Sequence, residues 1–331
     1  MGNLIGVDIG GTKCAIVLGS HISKAENKGS EGLDIQDRMA FPTGNQIGVQ
    51  NTIDRILQNI RDILVKNGVK TGDLEGIGIS CGGPLDSNKG IIMSPPNLIG
   101  WDNIKIVELL EREFGIKTRL QNDANACALA EWKYGAARGY RNVIFLTFGT
   151  GMGAGLILDG RLYNGTNDMA GEVGHIRLDN IGPVGYGKMG SFEGFCSGGG
   201  IAQLARMKVL ERHQTGKEVI FCKGVEELDG LNAKIVGDAA EAGDELAKEI
   251  YAICGQYLGK GLSLLIDILN PEIIVIGSIF ARSRELLMES VMDVVKKDAL
   301  SHSLNVCRIV PTGLGEKIGD YASLEVAIYE K

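Results

Sequence analysis

The chain has 331 residues, enough for about two domains of ordinary size, and 44% of its residues are hydrophobic and 23% charged. This composition is typical of a folded globular protein and excludes a largely disordered chain. The net charge is −7 and the sequence has no basic cluster, so nucleic acid is not an expected partner.

The sequence contains no apolar run of the ~18 residues that would cross a bilayer, and its first residues lack the features of a signal peptide. The seven cysteines are scattered without a C-x-x-C spacing, which predicts neither a disulfide framework nor a thiolate metal site. We therefore expect a reduced, cytoplasmic protein with no membrane partner. Glycine is frequent, at 48 residues, which indicates backbone turns that approach a ligand closely.

Glycine turns follow several strand-like segments. LIGVDIGG (4–11) is an apolar strand that runs into a turn, and TKCAIVLGS (12–20) predicts a second strand that completes a hairpin. The same pattern returns in residues 141–165, where VIFLTF is followed by GTGMG and then GLIL. Two weaker copies, EGIGISCGGPLD (75–86) and PEIIVIGSIF (271–280), also place Gly or Ser directly after a strand.

Helical stretches separate these strands. Apolar residues spaced at three and four predict helices over 50–68, 103–115, 124–139, 245–270 and 283–300, and a short helix covers 319–331. Strands that alternate with helices indicate an α/β architecture. We predict a small N-terminal domain over 1–119 and a large domain over 120–315, with a C-terminal helix at about 316–331 that can pack back on the small domain.

Common nucleotide fingerprints do not fit the glycine turns. The P-loop pattern fails because no Gly-Lys pair is followed by Ser or Thr. The dinucleotide fingerprint fails because a strand-like segment follows Gly149 and Gly151, where that fingerprint needs a helix. A pair of phosphate-binding hairpins fits instead, because each turn offers backbone N–H groups and a small hydroxyl. In DIGGT (8–12), Asp8 adds a carboxylate that can hold Mg²⁺ through water.

The segment LQNDANACALAEW (120–132) places Asn122 and Asp123 between a strand and a helix. Asp and Asn are favoured helix caps, so one alternative is a purely structural role. Strand-to-helix junctions are also where α/β proteins place ligand contacts. An Asp at this position could accept the proton of an alcohol that attacks phosphorus.

The ordered motifs resemble the ROK family of sugar kinases, which are glucokinase- and hexokinase-like members of the actin-like ATPase superfamily. They are DIGGT, GGPLD with SPPNL, NDANACALAE, GTGMGAG, AGEVGH, E-x-x-C-S-G and NPEIIVIG, and together they span nearly the whole chain. The resemblance implies two related actin-like (ribonuclease H-like) domains with an active-site cleft between them. It also implies ATP and Mg²⁺ as cofactors and a hexose as acceptor, with the 6-hydroxyl of glucose or a related hexose as the expected position.

The resemblance further assigns roles to individual residues. Asp123 matches the catalytic base, and Asn122 matches a sugar contact. The remaining sugar-binding positions are Glu172, His175 and Glu193, with Gly83 and Asn97 on the small-domain side. The ATP and phosphate positions are Asp8, Gly10, Gly11, Thr12, Lys13, Gly149, Thr150 and Gly151, with Gly277 and Ser278 near adenosine.

The sequence departs from the family at its zinc site. Many ROK proteins hold zinc with the histidine of the G-H motif and three downstream cysteines, but Gly185, Gly187 and Ser191 stand near the expected cysteine positions. Glycine offers no side-chain ligand and serine is a poor zinc donor, so we expect no zinc. His175 is then expected to hydrogen-bond a sugar hydroxyl; the alternative is a histidine that only packs.

Two other functions compete with the kinase. The ROK family includes sugar-sensing repressors with a helix-turn-helix domain before the core, and the hairpin at residue 4 and the acidic charge lead us to expect no such domain here. An ATPase with another acceptor is disfavoured by AGEVGH and Glu193. The residues do not distinguish glucose from other hexoses or glycosides, and the altered loop at 180–192 is where such differences would be read. The resemblance suggests a homodimer.

Overall fold

The structure is a computed structural model that describes residues 2–22, 32–43 and 47–330. Its strands are β1 (Asn3–Ile9), β2 (Lys13–Ile22), β3 (Gly32–Pro42), β4 (Leu74–Cys81), β5 (Leu85–Asp86), β6 (Ile91–Ile92), β7 (Thr118–Asn122), β8 (Val143–Leu146), β9 (Ala154–Leu158), β10 (Arg161–Leu162), β11 (Val184–Gly185), β12 (Lys188–Met189), β13 (Ile273–Ile276) and β14 (Arg308–Pro311). Its α-helices are α1 (Val49–Lys66), α2 (Ile106–Phe114), α3 (Asp123–Tyr134), α4 (Phe192–Phe195), α5 (Gly198–Gln214), α6 (Ala233–Glu241), α7 (Glu245–Leu269), α8 (Ile279–Arg282), α9 (Arg284–Asp298), α10 (Ser301–Leu304) and α11 (Ile318–Ile328).

The chain forms two compact units. Unit one comprises Met1–Arg141, Gly155–Ala170 and Gly313–Lys331, and unit two comprises Asn142–Ala154 and Gly171–Thr312. The second domain expected from the sequence begins instead at residue 120, and that boundary stays a prediction. Residue 331, the last of the predicted C-terminal helix, lies outside the described residues.

Unit one contains a five-stranded sheet with the strand order β3-β2-β1-β4-β7. The hairpin predicted over residues 4–20 is confirmed, because β1 and β2 pair antiparallel with Val7 opposite Ile16. β4 runs parallel to β1, and β7 runs parallel to β4. Ile9 is opposite Cys81 and Cys81 is opposite Asn122, so the three strands end at one edge of the sheet.

One face of this sheet is covered by α1 and α2. Ile53, Ile56, Ile60 and Ile63 of α1 follow the spacing of three and four that predicts this helix, and none is more than 4% exposed. They belong to one apolar cluster with residues of β1, β2, β4 and α2. Burial of this cluster fixes the sheet on which the candidate site is built.

The other face of the sheet is covered by α11. A Cβ on Gly78 of β4 would lie 2.1 Å from the main-chain oxygen of Ser323, and a Cβ on Gly6 of β1 would lie 2.3 Å from the Ser323 hydroxyl. Glycine at both positions therefore lets the helix backbone approach the strands closely. Leu324 and Ala327 complete this contact as part of an apolar cluster with β1 and β2.

A buried glutamate fixes the entry to α11. Glu131 in α3 is 0% exposed, and its carboxylate accepts hydrogen bonds from the N–H groups of Gly313 and Leu314 at 3.1 and 3.0 Å. The same carboxylate accepts from the Ala136 N–H at 2.7 Å. These bonds satisfy a carboxylate that would otherwise be costly to bury, and they hold α3 and the entry to α11 together.

Unit two contains three parallel strands, β8, β13 and β14, in that order, with Ile273 of β13 between Val143 and Arg308. The long helix α7 packs closely on α9, because a Cβ on Gly255 or Gly259 would meet main-chain oxygens of α9 at 2.8 Å. In the part of the chain that the structure describes, α7 is the one helix long and apolar enough to cross a membrane. Half of its apolar stretch is buried inside the structure. A helix in a protein core can be equally long and apolar.

Several elements differ from the sequence predictions. α3 ends at Tyr134 instead of residue 139, because Gly135 follows it and the backbone leaves the helical conformation there. α5 was not predicted, because it begins with three glycines, which are poor helix formers. Its start is stabilised by the Ser197 hydroxyl, which accepts a hydrogen bond from the Gly200 N–H at 2.9 Å.

We expect Gly78→Ala to lower the free energy of unfolding by about 1–3 kcal/mol or more, because the new methyl group would clash with the α11 backbone. Gly72→Ala is the matched control, since a Cβ at this exposed residue meets nothing within 4 Å. Urea denaturation of both variants measures the difference. Equal stability of the two variants would show that α11 does not press on this strand.

Candidate active site

The first phosphate turn in unit one connects β1 to β2. The Gly10 N–H donates to the Lys13 carbonyl at 3.0 Å and closes the turn. Thr43 holds it from the side, since its hydroxyl donates to the Gly10 carbonyl at 2.6 Å and its N–H donates to the Thr12 carbonyl at 3.0 Å. The side chains of Thr12 and Lys13 are exposed. The turn is therefore rigid and presents a hydroxyl and an ammonium group to solvent.

Asn97 lies directly beside this turn. A Cβ on Gly11 would stand 2.7 Å from the Asn97 main-chain oxygen and 2.8 Å from its Cβ, so only glycine fits there. The side chain of Asn97 is exposed. The sequence predicts Asn97 as a sugar contact, and in the structure Asn97 lies beside a phosphate turn of the same unit.

Asn122 and Asp123 have different roles at the junction between β7 and α3. Asn122 caps α3, because its Oδ1 accepts hydrogen bonds from the N–H groups of Ala124 and Asn125 at 2.9 and 3.4 Å. Asp123 is the first residue of the helix, and its Oδ1 accepts from the adjacent Ala124 N–H at 2.8 Å. A Cβ on Gly83 would lie 3.1 Å from Asn122 Nδ2, which brings Gly83 to this junction.

Asp123 is exposed as a residue, but the protein around its carboxyl group excludes much of the bulk water. Desolvation raises the pKa of Asp123, and the hydrogen bond from the Ala124 N–H acts in the opposite direction. A carboxylate with a raised pKa can accept a proton from an alcohol more readily than an ordinary surface aspartate.

Asp8 lies among other acidic groups at the same edge of the sheet. Desolvation raises the pKa of Asp8 from 3.8 to about 6, and the negative charges of Asp123 and Asp320 add to this shift. Lys13 and Arg38 act against it. A carboxylate held among negative charges is one that a cation would stabilise.

The sequence does not single out Gly319 and Asp320, at the start of α11, as neighbours of Asp8. A Cβ on Gly319 would lie 3.1 Å from Asp8 Oδ2, so the helix start touches the carboxylate. Asp320 forms an ion pair with Arg38, with 2.9 Å between Asp320 Oδ1 and Arg38 Nε. The Gly-Asp pair in the sequence is the only signal for this contact, and no periodicity relates it to a strand more than 300 residues earlier.

The second phosphate turn, in unit two, follows β8. The Thr147 N–H donates to the Gly153 carbonyl at 2.9 Å, and the Gly149 N–H donates to the Gly151 carbonyl at 3.1 Å. Thr150 is exposed at the tip of this turn. The Gly198 N–H donates to the Gly149 carbonyl at 2.8 Å and fixes the turn to the start of α5. Both predicted phosphate segments are thus closed turns that expose a threonine.

Gly277 and Ser278 lie beside the second phosphate turn. The Gly277 N–H donates to the Leu146 carbonyl at 3.0 Å, at the end of β8. Ser278 is exposed and has a φ of 54°. A Cβ on Gly149 would lie 3.4 Å from the Ser278 hydroxyl, so the residues predicted near adenosine and near phosphate are neighbours in unit two.

Glu193 connects the predicted sugar site to the second phosphate turn. Its Oε2 accepts a hydrogen bond from the Met152 N–H at 3.0 Å and would lie 2.7 Å from a Cβ on Gly151. The short helix α4 that carries Glu193 is anchored by Phe192, whose ring lies 2.3 Å from where a Cβ on Gly261 would stand. One carboxylate oxygen of Glu193 is thereby fixed by the phosphate turn.

Glu172 directly precedes a short 3₁₀ turn, Val173–His175, in unit two, and His175 is its last residue. Glu172 is exposed and His175 is half-buried. Between them, Gly174 packs closely: a Cβ there would lie 2.3 Å from the Met152 carbonyl oxygen and 3.2 Å from the Glu193 Cβ. The structure therefore brings the 3₁₀ turn against the element that carries Glu193.

The loop that follows His175, in which we expect no zinc, is fixed by hydrogen bonds within the protein. Among the residues that the structure describes, no group of three or more His, Cys, Asp or Glu side chains could hold a metal ion. Tyr257 donates to Asp179 Oδ2 at 2.6 Å, which lowers the pKa of Asp179. The Gly190 carbonyl accepts from the N–H groups of Leu178 and Asp179 at 2.8 and 3.0 Å. The expected absence of zinc stays a prediction.

A groove of about 1020 Å³ in unit one does not coincide with these residues. It is lined by charged side chains that include Lys89, Glu111, Arg112 and Arg119. Glu111 accepts a hydrogen bond from the Thr118 N–H at 3.0 Å and so stabilises the start of β7. The size of a cavity is therefore a poor guide to the predicted chemistry in this unit.

We expect Asp8→Asn to stabilise the protein more at pH 7 than at pH 4. A folded-state pKa above the ordinary value means that folding favours the protonated carboxyl. The contribution of this group to the free energy of unfolding is therefore full below pH 3.8 and is lost as the pH rises through about 6. The amide mimics the protonated form at every pH, and the gain at pH 7 is on the order of 2–3 kcal/mol. Urea denaturation at both pH values measures it.

Asp159→Asn is the control for this experiment, because Asp159 is 83% exposed, pairs with Arg141 and is not among the charges that shift the pKa of Asp8. The account of Asp8 is contradicted if Asp8→Asn and Asp159→Asn change stability equally at pH 7.

Comparison with known proteins gives two kinds of relative. The glucokinase of Halalkalibacterium halodurans is 33% identical over 290 residues, which cover 87% of this chain and 83% of that protein. The DNA-binding transcriptional repressor Mlc of Escherichia coli is 27% identical over 271 residues, which cover 81% of this chain and 64% of the repressor. Kinases and regulators thus share this sequence pattern.

A similar solved structure is a ROK family glucokinase from Streptomyces griseus in complex with glucose and AMPPNP, with 25% sequence identity and a TM-score of 0.78. The likeness covers 98% of this chain and 99% of that chain. It confirms the predicted fold class, an α/β protein with the actin-like two-domain fold. Residues 4–323 match the ROK family, and the chain therefore belongs to that family.

Proposed function

We propose that this protein is an ATP-dependent sugar kinase that transfers the γ-phosphoryl group to a hexose hydroxyl, with the 6-hydroxyl of glucose or a related hexose as the expected acceptor. The observation that carries the proposal is that Asp123, an exposed residue at the end of β7, is not the helix cap, because Asn122 caps the helix. Glucokinases among the relatives support the same reaction class.

Asp123 is the proposed general base. Its raised pKa makes the carboxylate a stronger proton acceptor than an ordinary aspartate. Phosphoryl transfer needs little covalent chemistry from the protein, so one positioned base and charge stabilisation of the phosphates are the main requirements.

The two glycine turns are the proposed phosphate contacts. Their backbone N–H groups, the hydroxyls of Thr12 and Thr150 and the ammonium of Lys13 suit phosphate oxygens. We place the adenosine near Gly277 and Ser278. Internal hydrogen bonds close both glycine turns, so less conformational freedom has to be lost when a phosphate binds there.

The residues at Asp8 suit a magnesium ion. Asp8 Oδ2 lies against the backbone of Gly319, and the neighbouring Asp123 and Asp320 make its surroundings negative. Mg²⁺ prefers oxygen ligands and keeps several waters, so Asp8 would hold the ion of Mg-ATP through water. When bound, the ion neutralises charge on the transferring phosphoryl group.

Glu172, His175 and Glu193 are the proposed ligands of the sugar hydroxyls in unit two, and Gly83, Asn97 and Asn122 are those in unit one. Carboxylates accept hydrogen bonds from hydroxyls, and a neutral imidazole can donate one and accept one. Glu193 already uses Oε2 for the Met152 N–H, which leaves its Oε1 for a sugar. Because the hydrogen bond to Met152 already fixes the Glu193 side chain, less side-chain entropy is lost when Oε1 binds a sugar hydroxyl.

We further propose a homodimeric, cytoplasmic enzyme that uses no zinc and has no nucleic-acid or membrane partner. The acidic net charge of −7 supports the absence of nucleic acid. The rival function is a sugar-sensing regulator, which the repressor relatives favour. The two functions differ in one observable, since a regulator binds sugar without consuming ATP.

The test is ATP consumption by the purified protein with Mg²⁺ and a panel of hexoses. We expect turnover with at least one hexose and a loss of about 10²- to 10⁴-fold in kcat for Asp123→Asn, because an amide cannot accept the hydroxyl proton. Since Asn122 provides the cap, the stability of Asp123→Asn should equal or exceed that of the wild type.

Asp159→Asn, an exposed control, should retain full activity. If the wild type binds sugar without consuming ATP, the kinase proposal is wrong and the regulator is the supported function. Near-normal turnover by Asp123→Asn would instead return Asp123 to a structural role.

The absence of zinc is tested separately. We expect elemental analysis to find no stoichiometric zinc, and we expect full activity after a strong chelator is removed and Mg²⁺ is restored. The reason is that Gly185, Gly187 and Ser191 supply no zinc-binding side chains. About one zinc per chain, with a loss of activity that zinc restores, would overturn this expectation.

A further inference from the structure

β11 and β12 form a hairpin with a two-residue turn, Tyr186-Gly187, in the loop where the sequence departs from its family. Both turn residues have positive φ, 45° for Tyr186 and 74° for Gly187. Glycine adopts this backbone freely, whereas a bulky aromatic residue does so only at a cost in strain. Turns of this kind favour Asn or Gly at the first position, so turn formation does not explain a tyrosine there.

Two side chains of this hairpin contact His175. Lys188 Nζ donates a hydrogen bond to the main-chain oxygen of His175 at 2.7 Å. The Tyr186 ring meets the His175 imidazole edge to face, with 5.0 Å between the ring centroids and 85° between the planes. One contact holds the backbone of His175 and the other restricts the rotation of its ring.

The base of the hairpin is itself fixed to the element that carries Glu193. A Cβ on Gly185 would lie 2.5 Å from the Gly194 nitrogen and 2.9 Å from the Glu193 Cβ. The side chain of Gln203 in α5 exchanges two hydrogen bonds with the backbone of Val184, both 2.9 Å long. The hairpin is therefore a rigid connection between His175 and Glu193.

Tyr186 is 60% exposed, so part of its ring faces solvent although its edge contacts His175. Its exposed surface lies next to the half-buried His175. An aromatic face beside a hydrogen-bonding group suits a ligand that has both C–H and hydroxyl surfaces, which is the chemistry of a pyranose.

We propose that Tyr186 and Lys188 are positioning residues that hold the His175 imidazole in the orientation in which it hydrogen-bonds a sugar hydroxyl. The inference rests on the proposed sugar-binding role of His175. A freely rotating imidazole would lose rotamer freedom on binding, whereas a fixed one has lost it already, and the affinity for sugar rises accordingly. The orienting task is performed by side chains of the loop and requires no metal ion.

The test compares two disruptive variants with two conservative ones. Tyr186→Gly removes the ring and the strain that a bulky residue has at positive φ. Lys188→Met removes the ammonium group and keeps the side-chain length. Tyr186→Phe and Lys188→Arg keep the ring and a hydrogen-bond donor. Tyr163→Gly and Lys234→Met are controls at exposed residues of the same types elsewhere in the chain.

The measurements are the dissociation constant of D-glucose by calorimetry, the KM values for D-glucose and ATP, and the melting temperature. For Tyr186→Gly and Lys188→Met we expect glucose affinity to fall about 10-fold, with the KM for ATP within about twofold of the wild type. The melting temperature of Tyr186→Gly should stay the same or rise, because glycine suits the turn. The conservative variants and the controls should bind glucose as the wild type does.

Unchanged glucose affinity in both disruptive variants would overturn the inference. So would a parallel rise of the two KM values together with a lower melting temperature, since that pattern marks a purely structural role. If the wild type binds glucose but does not consume ATP, the kinase proposal fails while the calorimetric comparison still decides the inference. A wild type that neither binds nor phosphorylates D-glucose would overturn the inference as stated.

Discussion

The side-chain oxygen of Asn122 accepts hydrogen bonds from the N–H groups of Ala124 and Asn125, and so satisfies the start of α3 where β7 ends. Because Asn122 performs this structural task, the carboxylate of the next residue, Asp123, is not needed to cap the helix. The parallel alignment of β1, β4 and β7 then brings Asp8 to the same edge of the sheet. The charge environment of both carboxylates follows from this arrangement.

In each unit, close backbone contacts at glycine positions form the surroundings of a candidate site carboxylate, Asp8 in unit one and Glu193 in unit two. Gly6 and Gly78 let α11 lie directly on the sheet, and the start of that helix then touches Asp8 through Gly319. In unit two, Gly174 and Gly185 bring the 3₁₀ turn and the β11–β12 hairpin against the element that carries Glu193. The high glycine content is therefore explained by contacts that a Cβ would prevent, as well as by turns with positive φ.

The sequence predicts the long helices and the first hairpin well, because their apolar spacing repeats locally and burial follows it. It also locates the junction at Asn122 and Asp123, but it cannot say which residue caps, since both types are good caps. Contacts between distant segments carry no periodic signal, which is why Thr43 at the first phosphate turn and Asp320 near Asp8 were missed. The Tyr186 contact with His175 was missed because a tyrosine at positive φ runs against the local turn preference.

The central claim is that the γ-phosphoryl group of ATP is transferred to a sugar hydroxyl and not to water. Phosphorus NMR of the protein with ATP, Mg²⁺ and D-glucose tests it most directly, because a phosphate ester on a CH₂ group couples to two protons. The account predicts that ADP and a sugar phosphate with a triplet resonance appear in equal amounts. Formation of inorganic phosphate in place of the ester, or an unchanged ATP spectrum while glucose is bound, would contradict it.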